Sequence, residues 1–157
     1  MTQRIYIETT IPSYLTARPS RDIIQAARQQ LTHAWWEAER HNYDLCISQM
    51  VLDEAAAGDA ETARRRLAVI ADLPLLDLTG AVETLAENIM QANLLPASAS
   101  RDAVHIAVTA VHQVTFLLTW NCRHIANAVI FRELRRIIVN AGYDMPIICT
   151  PEELIGD

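Results

Sequence analysis

Short apolar runs alternate along this chain with longer stretches of helical period. Arg4–Glu8 reads as a strand: short, apolar and ended by a carboxylate. A stretch holding Pro12 and Pro19 follows, then a helix over about 21–40, with Ile23, Ile24, Ala27, Leu31, Ala34 and Trp35 at helical spacing. Leu45–Ile47 is a second strand, and Ser48 is placed to cap a helix that runs to Ala57 and is closed by Gly58. Asp59 opens the next helix, to about Ala71, before a third strand at 75–78. Thr79 caps a helix to about Ala92, and Ser98 or Ser100 caps another through His112. Phe116–Thr119 is apolar up to its last residue, as a central strand of a parallel sheet should be. A helix over about 125–140 with Gly142 just beyond it, a fifth strand at Ile147–Cys149 and a capping box at Thr150-Pro151-Glu152-Glu153 complete the series.

Strands alternating with helices predict an α/β fold: one domain over residues 1–157 with a central parallel sheet of four or five strands and helices on both faces. Ligands in such sheets bind beyond the carboxyl ends of the strands, where strand order reverses. Glu8, Ser48 and the segment 119–121 fall there.

Composition narrows the chemistry. Hydrophobic residues make up 51% and charged residues 20%, as in a globular chain. No apolar run reaches the ~18 residues of a membrane span, and the chain goes into its first strand with no leader-like apolar segment. Three widely spaced cysteines without a CxxC pair predict neither a disulfide framework nor structural zinc, and point to a reducing cytoplasm. The net charge of −6 argues against binding nucleic acid by bulk charge. All 13 cationic residues are arginine, which excludes Schiff-base lysines and the phosphate-binding lysine of P-loops. There is no GxGxxG, GxSxG or HExxH.

The candidate residues each admit two readings. Glu8 closes a buried strand, so it either pairs with an arginine or helix N-terminus or ligates a metal. Asp53 and Glu54 project about 100° apart on one helix, so one reads as solvated surface and the other as a candidate ligand, and the residues alone do not choose between them. Asp102 lies in the first turn of its helix, where it suits the helix dipole or a cation. The same helix is apolar nearly all round, so its polar stripe of Asp102, His105, Thr109 and His112 needs partners. His105 reads as a satisfied buried histidine rather than a metal ligand. Asn121 is a turn residue, a carbonyl ligand or a holder of water. Cys122 and His124, two apart on a loop, are poor geometry for a thiol nucleophile. Trp35 and Trp36 read as core or interface, and Arg64–Arg66 and Arg132, Arg135 and Arg136 as solvated faces that could track phosphates.

Taken together, the chain resembles a PIN domain, in particular a toxin of the VapC type from bacterial toxin–antitoxin pairs. Ile5 through Leu15 resembles the family's first strand, acid and following helix; 48–54 its second segment, which selects Glu54; 102–107 its third; and Leu117-Leu118-Thr119-Trp120-Asn121 its fourth. Thr150-Pro151-Glu152-Glu153-Leu154 is similar to its ending. Two positions depart: the first acid, usually aspartate, is Glu8, and the fourth is Asn121. The resemblance implies a three-layer PIN-like fold and a metal site of Glu8, Glu54, Asp102 and Asn121, with Thr119, Ser48 and His105 around it. It also implies Mg2+ or Mn2+, hydrolysis of RNA to a 3′-hydroxyl and a 5′-phosphate, a homodimer and a small antitoxin partner. Clustered carboxylates without a cation should leave at least one acid with a raised pKa.

Overall fold

All five apolar runs pair in one sheet in the computed structural model, which describes residues 2–156. The strands are β1 (Arg4–Ile7), β2 (Asp44–Ser48), β3 (Leu75–Leu76), β4 (Phe116–Leu118) and β5 (Ile147–Cys149). They are parallel throughout, in the order β3-β2-β1-β4-β5. Ile5, Tyr6 and Ile7 of β1 are all fully buried, as are Leu117 and Leu118 of β4. Successive strand residues face opposite sides, so both faces of the sheet are covered. At the edges Leu75 and Ile147 are about half exposed.

The helices are α1 (Thr10–Thr16), α2 (Ile23–Ala38), α3 (Gln49–Ala55), α4 (Ala60–Ile70), α5 (Gly80–Gln91), α6 (Ser100–Val111) and α7 (Ala128–Asn140). Asp59 and Thr79 cap their helices through side-chain bonds to Thr62 N–H and Val82 N–H, as the sequence predicts. Gly142 (φ +96°) supplies the left-handed residue that ends α7, whereas α3 stops at Ala55 rather than Ala57 and Gly58 (φ +84°) turns the chain beyond it. Four further expectations need correction. Ser48 makes no side-chain cap, because its hydroxyl faces the core instead. Neither Ser98 nor Ser100 caps α6, since a 3₁₀ turn at Ala97–Ala99 leads into it. α7 starts three residues late, capped by Asn127, because 121–126 forms a hydrogen-bonded turn. Thr150 forms its capping box on a 3₁₀ turn.

Strand order reverses at β1, so the crevice of this sheet opens between the carboxyl ends of β1 and β4. Glu8 N–H donates to Leu118 O (3.1 Å), which brings Glu8 beside the segment that carries Thr119 and Asn121.

Candidate metal centre

The end of β1 delivers Glu8 into a nearly closed environment, only 4% exposed. Two threonine hydroxyls hold its Oε1, from Thr10 (2.6 Å) and Thr119 (2.5 Å). Each threonine oxygen also accepts a backbone N–H from the loop after β4: Trp120 N–H to Thr10 and Asn121 N–H to Thr119. Burial pushes the Glu8 carboxyl above its ordinary range, against the opposing influence of His105 and the two hydroxyls. One acid is thus raised, but through desolvation rather than crowding by the others.

Glu54 comes from α3. Its neighbour Asp53 is exposed and bonded to Gln49, so the inward carboxylate is Glu54. Glu54 Oε1 accepts from Thr9 Oγ1 (2.7 Å) and from His105 Nε2–H (2.5 Å). Partial burial acts to raise its pKa, but the bond to His105, that ring's charge, Thr9 and Arg101 together hold it below the ordinary value. His105, fully buried on α6, shows the converse. Burial disfavours its charge, yet Glu54, Glu8 and Asp102 raise it overall. Its other nitrogen, Nδ1, meets Tyr6 Oη at 2.7 Å, and Tyr6 Oη meets Ser48 Oγ at 2.8 Å. Donor atoms of Glu8, Glu54 and His105 all lie within 4.8 Å of one another, close enough to share one cation.

Asp102 and Asn121 converge on His124. Asp102 Oδ2 accepts from His124 Nδ1–H (3.1 Å), and Asn121 Oδ1 accepts the His124 backbone N–H (3.0 Å). Asn121 thereby caps its own turn, and Asp102 contributes no donor to the 4.8 Å group. Asp102 still lies near enough to His105 to favour its charge. The polar stripe of α6 is fully partnered: Thr109 Oγ1 donates to His105 O, and His112 Nε2–H to Asp77 O.

Thr9, Thr10 and Tyr6 are the site residues that sequence reasoning missed. The two threonines directly follow Glu8, and a hydroxyl pair beside a buried acid was the available signal. Tyr6 gave none, since a tyrosine in an apolar strand reads as core. The other features carry less. His124 pairs with Asp102, not with exposed Cys122. Burial pushes the Cys46 thiol up to about 11 and that of Cys149 to about 12, which leaves both inert. Trp35 is core. Arg64 pairs with Glu61 in solvent, whereas Arg66 donates to the carbonyls of Ala55 and Ala57 and so ties down the end of α3.

The donor set suits a divalent cation that prefers oxygen: two carboxylates, one buried without a full countercharge, and one imidazole beside them. Neither a family model nor a curated protein sequence matches the chain. Among solved structures it is similar to a chain of VapBC2 from Rickettsia felis, crystallised bound to a DNA fragment from the promoter. The TM-score is 0.60 and the identity 14%, over 94% of this chain and 98% of that one. The fold is therefore the three-layer PIN-like fold that the resemblance implied. Among the described residues no helix is long and apolar enough to cross a membrane.

Proposed function

We propose that this chain is a metal-dependent endoribonuclease and the toxin of a toxin–antitoxin pair. The observation that carries the reading is the approach of Glu8 and Glu54 at the reversal point of a PIN-like sheet, within reach of one cation. Glu8, Glu54 and Asp102 would hold Mg2+ or Mn2+, and Asn121 keeps a carbonyl lone pair for it beyond the bond from His124. The bound cation would supply charge stabilisation at a phosphodiester and an activated water. The chain's own task is to keep those oxygens fixed: Thr10 and Thr119 fix Glu8, and Thr9 fixes Glu54. Hydrolysis leaves a 3′-hydroxyl and a 5′-phosphate. The protein works in the cytoplasm as a homodimer, restrained by a small antitoxin. Calorimetry with Mn2+, run beside cleavage of a structured RNA by partner-free protein, tests this. Mn2+ binding with metal-dependent cleavage supports it; absence of both rejects it.

A second reading is a PIN-fold module that binds RNA or protein without cutting. Asn121 favours it, because a neutral carbonyl that caps its own turn stands where the family has an acid. Mn2+ binding without cleavage would select it.

A further inference from the structure

Resting on the metal reading of this site, we propose that Tyr6 is a positioning residue for Glu54, acting through His105. Tyr6 Oη lies 2.8 Å from Ser48 Oγ and 2.7 Å from His105 Nδ1, and His105 Nε2 lies 2.5 Å from Glu54 Oε1. The row joins the middle of β1, the end of β2, α6 and α3. Ser48, Tyr6 and His105 are each fully buried, so water does not substitute for a missing partner.

The direction of the row follows from its end. A carboxylate only accepts, so His105 Nε2 carries the hydrogen that faces Glu54. Nδ1 then either accepts from the Tyr6 hydroxyl, which accepts from Ser48, or donates to Tyr6, which donates to Ser48. Both arrangements give Nδ1, Tyr6 Oη and Ser48 Oγ a hydrogen-bond partner. The imidazole is therefore fixed in tilt and in ring orientation by a hydroxyl that is itself held by Ser48. Glu54 sits on α3, a helix of only seven residues. Thr9 and His105 both hold its Oε1. Groups that orient a ligand in this way change metal affinity by about 10–100-fold when removed.

Two readings of His105 compete. If it only orients Glu54, its nitrogen stays outside the coordination shell. If it is itself a ligand, Tyr6 orients a metal-bound histidine and Glu54 is set by Thr9 alone. The observed contacts favour the first, because both ring nitrogens already have partners within the protein.

The test is Mn2+ binding by calorimetry to the wild-type chain, Tyr6→Phe and Ser48→Ala. Circular dichroism verifies folding, and pulsed electron paramagnetic resonance of the Mn2+-loaded wild type looks for a bound nitrogen. Tyr6→Phe keeps the ring that fills the core and removes one oxygen. The proposal expects its Mn2+ affinity to fall about tenfold or more, a smaller fall in Ser48→Ala, and no directly bound nitrogen. Should Tyr6→Phe fail to fold, Ser48→Ala decides by the same criterion. Wild-type affinity in the folded variants would overturn the proposal and leave the nuclease reading standing. A bound nitrogen would overturn the route through Glu54. A wild type that binds no Mn2+ would overturn both.

Discussion

Replacing Glu8 by glutamine should stabilise the metal-free protein while destroying its metal site. The carboxylate is 4% exposed, and a buried carboxylate pays several kcal/mol in lost hydration even after relaxation. The nearby His105 and the hydroxyls of Thr10 and Thr119 offset part of this. Bonds to a charged acceptor contribute about 1.5–3 kcal/mol each, against about 1 for a neutral one. Glutamine keeps its carbonyl in both bonds and so gives up roughly 1–4 kcal/mol, centred below the several kcal/mol of desolvation it removes. A net gain of about 1–2 kcal/mol at neutral pH follows, or roughly 2–8 °C in Tm for a chain of this size. The raised pKa sets the pH dependence. Below the ordinary value of 4.5 Glu8 is protonated both folded and unfolded, and the advantage of glutamine vanishes. As pH rises through the folded pKa, the wild type loses stability and the variant does not. Thermal melts in EDTA at pH 4 and pH 7.5 measure this, and added Mn2+ should raise the wild-type Tm alone. A Glu8→Gln variant less stable than wild type at pH 7.5 would refute the reasoning.

The Glu54–His105 pair gives the metal-free protein a window of added stability. It is present above the ordinary carboxylate value of 4.5 and below the ordinary imidazole value of 6.5. It is lost as pH falls through the lowered Glu54 pKa or rises through the raised His105 pKa. Denaturant melts across pH should show this maximum in wild type and not in His105→Gln. Asp102→Asn should abolish cleavage as fully as the triple change of Glu8, Glu54 and Asp102, because groups sharing a cation act as a unit; the amide oxygen still accepts from His124, so its melting curve should stay near wild type. Asn121→Asp should keep the turn and bind Mn2+ more tightly by calorimetry, with faster cleavage; unchanged affinity would put residue 121 outside the metal shell. Wild type should prefer Mn2+ to Mg2+ in cleavage assays, since magnesium tolerates non-ideal geometry less well.

Most of the fold was legible because the central strands are buried and the helix caps are local. Asp59, Thr79 and Thr150 announce their turns through bonds within three residues, and periodicity reveals such bonds. Ser48 misled for the complementary reason: the same hydroxyl chemistry was claimed by Tyr6, forty-two residues away. Glu8 was visible as an acid at a strand end. Glu54 needed the family resemblance, since sequence alone does not say which of two adjacent acids turns inward. The sharing of Asp102 and Asn121 by His124 was invisible, because it depends on how the 121–126 turn folds back towards α6. The role of Tyr6 was hidden by its ring, which fits the core whatever its hydroxyl does.

End-group analysis of RNA fragments made by partner-free protein tests the central claim most directly. Wild type with Mn2+ should yield 5′-phosphate and 3′-hydroxyl ends, while EDTA or Glu54→Gln should yield no fragments. Fragments that persist in EDTA or in Glu54→Gln, or that carry 2′,3′-cyclic phosphate, would contradict cleavage by water activated at Glu8, Glu54 and Asp102.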